Sequence, residues 1–169
     1  VRIQMTQGGV ETMYNGVSKC SATGRDRAPW NGIMVYACDP WHEVVAGTLR
    51  NLQVIAMDSG DVLIAGATYL TASPMPLVRG TEMTATDLPL DYTLGMTITP
   101  RGYIGEWANT IHVSATGNSC CNYGDRIPDI WFYANTYRLH IRDGSTSEGN
   151  AGCDPEEQLP LNQATTVRI

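Results

Sequence analysis

Lysine is almost absent from this chain, occurring only at Lys19, and Phe132 is the single phenylalanine. Charged residues make up 17% of the 169 residues, with 17 acidic against 11 basic side chains and a formal charge of -6. A chain this poor in lysine and this acidic lacks the clustered cations that phosphate neutralisation needs, which excludes nucleic-acid binding. No apolar run approaches the roughly 18 residues of a membrane-spanning helix. No Cys-x-x-Cys pair is present and histidine is limited to His42, His112 and His140, so a structural zinc site has no basis. Helical periodicity is scarce too. The only stretch with a helical look, Trp41–Val54, has apolar spacing that suits a strand equally well.

What is present is enough apolar material for a core, 43% of residues, and the length of one domain. Low charge with that apolar content excludes a disordered chain. The first residue is Val1 rather than Met, and the chain reads as a mature piece cut from something longer. Five cysteines, Cys20, Cys38, Cys120, Cys121 and Cys153, favour an oxidising compartment over a reduced interior; they imply two bridges and one thiol that is free or paired outside the chain.

Strand signals recur along the whole length. Arg2–Met5 and Glu11–Tyr14 flank a Gly8-Gly9 turn, and Tyr14-Asn15-Gly16-Val17 carries an Asn-Gly turn into Ser18–Cys20. Gly32–Ala37 and Leu49–Ala56 are further strands; Val62–Ile64, Thr68–Thr71 and Met83–Ala85 are weaker ones. Tyr92–Thr99 alternates and stops at Pro100, where the missing backbone donor ends a ladder. Thr110–Thr116 alternates Ile111, Val113 and Ala115 with His112, Ser114 and Thr116. Asp129–Tyr133 and Tyr137–Arg142 follow around an Ala134-Asn135-Thr136 turn, and Thr165–Ile169 closes the sequence. Short strands separated by Gly, Pro and Asn predict an all-β, antiparallel sandwich of the jelly-roll kind.

The tripeptide Val-Arg-Ile occurs at both ends, as Val1-Arg2-Ile3 and Val167-Arg168-Ile169. A strand that ends with the sequence wants a partner, so these six residues are the expected assembly strands, through which the end of one copy runs into the start of the next.

The second half carries an ordered series: DYTLGMTI (Asp91–Ile98), IHVSATG (Ile111–Gly117), GDRIPDIWF (Gly124–Phe132), RLHIRDG (Arg138–Gly144), GCDP (Gly152–Pro155) and LPLN (Leu159–Asn162). It resembles the first strands of the laminin-G-like, concanavalin A-like jelly roll found in extracellular proteins of algae and other flagellated protists, among them flagellar-hair (mastigoneme) proteins and sexually induced diatom proteins. Val1–Cys20, and Gly32–Val54 with its Val35-Tyr36-Ala37-Cys38-Asp39-Pro40-Trp41, resemble the last strands of the same domain. The resemblance therefore implies permuted order: residues 1–56 the C-terminal half of a unit, 57–75 a linker, 76–169 the N-terminal half. The halves belong to successive units of a tandem array, to neighbouring chains of a filament, or to one circularly permuted domain.

Site chemistry is sparse. Glycosidases need paired carboxylates, and Glu156-Glu157 are adjacent, so on a strand they face opposite ways; no catalytic residue is expected. Asp125, Asp129, Asp143 and Asp154 could offer oxygens to calcium, but they read as turn and ion-pair residues, and neither metal nor cofactor is expected. A triple of Ser114, His112 and Asp143 lacks the nucleophile-elbow motif. Of Trp30, Trp41, Trp107 and Trp131, the last lies on a core strand, while Trp41 and Trp107 are the candidates for stacking on sugars. Cys120 or Cys121 to Cys153 is the expected staple, the other adjacent cysteine pairing with Cys20, Cys38 or another subunit. No Asn-x-Ser/Thr sequon occurs, but 18 threonines leave room for O-linked sugars.

The leading expectation is an extracellular structural protein, a repeated unit of a filament or array such as a flagellar hair. It would associate head to tail with identical or homologous units through strand sharing and disulfides. The second is a carbohydrate-binding, lectin-like adhesion module with glycans as partners. A hydrolase on the same fold ranks third.

Overall fold

The computed structural model describes residues 5–6, 9–23, 28–57, 63–102, 105–144 and 151–168. The sequence reading of Arg2–Met5 and of the Gly8 turn lies mostly outside them, as do Val1, Arg2, Ile3 and Ile169. Among the described residues there is no helix. The strands run in the order β1 (Met5–Thr6), β2 (Gly9–Tyr14), β3 (Val17–Thr23), β4 (Trp30–Ala37), β5 (Glu43–Val44), β6 (Gly47–Met57), β7 (Leu63–Thr71), β8 (Met75–Pro76) and β9 (Thr81–Leu88). They continue with β10 (Tyr92–Pro100), β11 (Ala108–Ser114), β12 (Asp129–Phe132), β13 (Leu139–Asp143), β14 (Ala151–Cys153) and β15 (Thr165–Arg168).

Two sheets form, antiparallel but for one short pairing. The first has the order β1-β2-β15-β10-β6-β7, with β3 on β2 and β8 on β6; the second has β14-β13-β12-β11-β4-β9, with β5 beside β11 in parallel. Alternation decides which side chains meet between them. Tyr92, Leu94, Met96 and Ile98 of β10 join Leu49, Leu52 and Val54 of β6 from one sheet. Ile33 and Val35 of β4, Ile111 and Val113 of β11, Ile130 and Phe132 of β12, and Leu139 and Ile141 of β13 meet them from the other. The chain is an all-β sandwich with its core between the sheets.

The Asn-Gly turn sits where the sequence puts it. Asn15 (φ 48°) and Gly16 (φ 85°) both lie in the left-handed region, and Tyr14 faces Val17 across the two-residue loop. Positive φ at both central positions is what the right-handed twist of a tight hairpin requires.

Three expectations change. β15 is no open edge: Val167 pairs with Met96 of β10 on one side and Tyr14 of β2 on the other, and Arg168 with Gly95 and Met13. With both edges hydrogen-bonded, Val167 and Arg168 have no unpaired backbone to offer a neighbour. β1 enters the same lane, Met5 lying between Val10 and Tyr92, so β15 and β1 follow one another along β10 in the same direction. Residues 63–71, inside the stretch expected as a linker, form β7 and pair with β6. Strands from residues 1–56 and 76–169 also stand side by side in both sheets. Finally, Cys153 bonds Cys20 rather than Cys120 or Cys121, with a Cα–Cα distance of 5.8 Å. The physical reason is topology: β3 and β14 are side strands of the two sheets and meet where the sandwich closes.

Candidate functional site: a cleft on the outer face of the second sheet

Register places the site. In β4, β11, β12 and β13 every second residue points away from the core, and the ladder pairs His112 with Tyr36 on one side and Asp129 on the other. Asp129 in turn faces Arg142, and Trp131 faces His140. Opposed positions on one sheet face interact directly. His112 Nδ1 lies 2.7 Å from Asp129 Oδ2, and the Trp131 and His140 rings are 5.6 Å apart. An irregularity between Asn109 and Ile111 brings Asn109 Nδ2 to 2.6 Å from Asp129 Oδ1.

Loops build walls on this floor. After β4 the chain turns at Cys38 (φ 69°), and Asp39 organises the next residues. Its Oδ1 accepts from the backbone N–H of Trp41 (3.1 Å) and His42 (2.8 Å), and its Oδ2 from His42 Nδ1 (2.7 Å). This Asx turn sets Trp41 edge-on over His112, 5.3 Å between rings, and His42 over Trp131 at 5.9 Å. Trp107, just before β11, packs on Tyr133 at 4.5 Å and His140 at 4.7 Å. From the loop between β11 and β12, Arg126 lays its guanidinium over Trp131 at 4.4 Å while its Nε donates to the Ser119 carbonyl at 3.0 Å. That loop carries Cys120 and Cys121 and is pinned by Asp125, which accepts from Thr116, Asn118 and Asn122.

The result is a cleft of 160 Å³ lined, among the described residues, by His42, Trp107, Arg126, Trp131 and His140. A wider 460 Å³ groove adjoins it, sharing His42 and Trp107 and extending past Trp41, Glu43 and Glu106. Trp41 and Trp107, the two tryptophans expected at the surface, are 44% and 41% exposed, whereas Trp131 is buried. Trp30 lies apart, against Tyr123.

Electrostatics sort the charged groups. Burial raises Asp39, but the hydrogen bonds from His42 overcome it and hold the carboxyl below its usual range; the same bond raises His42. Asp154 accepts from Tyr133 Oη (2.6 Å), Arg142 Nη1 and Nη2 (2.7 and 2.9 Å) and His140 Nδ1, and against the cost of burial these donors hold it far below the carboxylate range. Burial lowers His140 and raises Asp129, in each case against the pull of its partners. Burial pushes the free Cys38 thiol up to about 12, which keeps it an unreactive packing residue at neutral pH.

Ligating atoms of Asp39, His112 and Asp129 lie within 4.8 Å of one another. All four carboxylate oxygens already accept N–H groups, from Trp41, His42, Asn109, Ile130 and His112. The three are therefore a hydrogen-bonded frame under the cleft. The other aspartates expected in turns and ion pairs do work of that kind: Asp125 holds a loop, and Asp154 ties β13 to Tyr133. His112 is joined to Asp129, so the Ser114/His112/Asp143 triple is not assembled through it.

His42, Arg126 and Asp39 were missed by sequence reading as site residues. Asp39-Pro40 was a usable signal, since Asp before Pro starts a turn that can fix the residues after it. Arg126 had none, because its place depends on the loop folding back onto the sheet.

Fold and site together define an antiparallel β-sandwich with an aromatic, imidazole-rich cleft on the outer face of one sheet. No family model matches the chain, and neither a curated protein nor a solved structure does.

Proposed function

We propose that the protein is an extracellular carbohydrate-binding module. The observation that carries this reading is the cleft itself, where part-exposed Trp107 stands with His42, His140 and Arg126 above the buried Trp131 on a rigid sheet face. Flat indole faces stack on the C–H faces of pyranose rings, and N–H groups around them fix hydroxyls; pockets of this make, apolar with a few polar groups, orient small ligands. The resemblance of the GDRIPDIWF and RLHIRDG segments to laminin-G-like domains supports it, since both segments supply the floor. The Cys20–Cys153 bridge fits an oxidising compartment. Membership of a flagellar hair or similar array is compatible with this reading, with glycans on neighbouring units as the partners.

The test is a glycan array followed by titration calorimetry on the wild type and Trp107→Ala. Trp107 is part-exposed, so its loss leaves the core intact. A hit whose affinity falls about tenfold or more in the variant supports the reading. Absence of any hit, or hits indifferent to Trp107, overturns it.

A further inference from the structure

We infer that the cleft selects an acidic sugar, one bearing a carboxylate or a sulfate, held by His42 and by Arg126, whose guanidinium lies over the Trp131 ring; this rests on the glycan-binding reading above.

The argument is a donor count. Among the described residues, the inner cleft is lined by two imidazoles, two indoles and one guanidinium, and no carboxylate. The carboxylates are present but sit behind the lining. Asp39 holds His42 by Nδ1, Asp154 holds His140 by Nδ1, and Asp129 lies 3.5 Å from Arg126 Nε. With each Nδ1 committed to a carboxylate, the ring nitrogen left for a ligand is Nε2; among the described residues no hydrogen bond reaches it in either ring. Indole and guanidinium are donors only, and a protonated imidazole is as well, whereas His140, lowered by burial, donates its Nδ1–H to Asp154 and leaves Nε2 as the one acceptor of the lining. His42, raised by Asp39, keeps its proton further into the neutral range than a free histidine does.

A neutral sugar brings hydroxyls, each of which has a proton to donate. In a cleft of donors those protons find few acceptors, and a desolvated donor without a partner costs about 1–3 kcal/mol. A carboxylate or sulfate has only acceptors to offer, and its bonds to imidazolium and guanidinium are charge-assisted and stronger. Placement along the groove follows. Glu43, which is paired with Arg79, and Glu106 border the outer groove, so the acidic group is directed inward to Arg126 and neutral rings lie across Trp41 and Trp107. The chain's formal charge of -6 alone points the opposite way, toward a cationic ligand.

The experiment is calorimetry on the intact, oxidised protein with oligogalacturonate, its methyl ester and a sulfated galactan oligosaccharide. Oligogalacturonate and its ester share rings and linkages and differ only in the charge. The expected result is that the acid, or the sulfated glycan, binds at least about tenfold more tightly than the ester. That preference should shrink with added salt and be lost in Arg126→Gln. Because Arg126 is nearly buried, the salt dependence on the wild type stands as an independent readout. Equal or tighter binding of the ester overturns the charge assignment and leaves glycan binding standing. Binding of none of the three, with hits only among neutral glycans of other kinds, does the same. No glycan binding at all overturns both.

Discussion

The outer faces of the two sheets are made by the same rule and carry different things. On the first sheet, β10 and β15 present Thr93, Gly95, Thr97, Thr166 and Arg168, and the contacts between them are slight: Thr97 and Thr166 hydroxyls sit 3.4 Å apart, and Gln53 and Arg168 lie against Gly95. On the second, the same alternation presents Tyr36, His112, Asp129, Trp131, His140 and Arg142, bound to one another and roofed by loops. Threonine suits a pleated surface whatever lies above it. A histidine–aspartate pair with no exposed atoms on a sheet has no such general reason: Asp129 accepts from Asn109, His112 and the Ile130 N–H, while among the described residues His112 Nε2 is buried without a hydrogen bond. What distinguishes a working face from a structural one is therefore the network, not the strand.

The largest expected effect tests that network. Asp129→Ala removes the acceptor of Asn109, His112 and the Ile130 N–H together, all of them buried. Breaking a buried charged group's set of partners costs about 3–5 kcal/mol, to be read from urea denaturation midpoints. Thr97→Ala on the other sheet should cost about 1 kcal/mol or less. Equal losses would erase the contrast between the faces.

Next in size is the covalent link between the sheets. Cys20 on β3 and Cys153 on β14 close a loop with a sequence separation of 133. The double variant Cys20→Ser/Cys153→Ser should lose about 2–4 kcal/mol, chiefly through the freedom regained by the unfolded chain. Cleft residues do not depend on that bridge, so glycan affinity at a temperature where the variant is folded should change little. A loss of binding equal to the loss of stability would mean that both faces depend on one tether.

Strands of both sheets were legible, and the loops that roof the second were not. Asn15-Gly16 and Pro100 announce their turn and strand end because local backbone chemistry decides them. Tyr92–Pro100, Ala108–Ser114 and Asp129–Phe132 follow from alternation in the same way. The helical-looking Trp41–Val54 became β5 and the start of β6, because its apolar residues fit both periods and the sheet supplied the partners. The weak strand signals at Val62–Ile64 and Thr68–Thr71, within the stretch expected as a linker, fall on β7, Leu63–Thr71. His112 and His140 could be assigned to a polar sheet face, but His42 and Arg126 reach the cleft only through loop paths. The cysteine pairing depends on which sheet edges meet, which no local pattern encodes.

A pH prediction separates the working face from the other by sign. His42 is raised by its bond to Asp39, so its contribution is complete below the unfolded value of about 6.5 and is lost as pH rises through the folded value. Asp154 is depressed, so its contribution is complete above about 4 and is lost as pH falls toward its folded value. Stability should decline on both sides of this window. His42→Gln should flatten the alkaline limb and, by taking the imidazole from Asp39, also weaken the acid limb, while Asp154→Asn should flatten the acid limb alone. Substitutions on the threonine face should leave both limbs in place, and a limb that persists in its own variant would assign it to another group.

The smallest effect is the finest test, because it makes one substitution in both sheets. Thr110 on β11 donates its hydroxyl to the Ile130 carbonyl at 3.0 Å in a fully buried setting. Thr166 on β15 is part-buried, and its hydroxyl lies 3.4 Å from that of Thr97. Valine keeps the β-branched shape and strand preference of threonine in both places and removes only the hydroxyl. Thr110→Val should cost about 1 kcal/mol, the net worth of one buried hydrogen bond, while Thr166→Val should fall within about 0.5 kcal/mol of the wild type. If the two variants are indistinguishable, hydroxyls of the second sheet are no more committed than those of the first, and the ordered polar network is confined to the histidine and aspartate side chains rather than to the sheet as a whole.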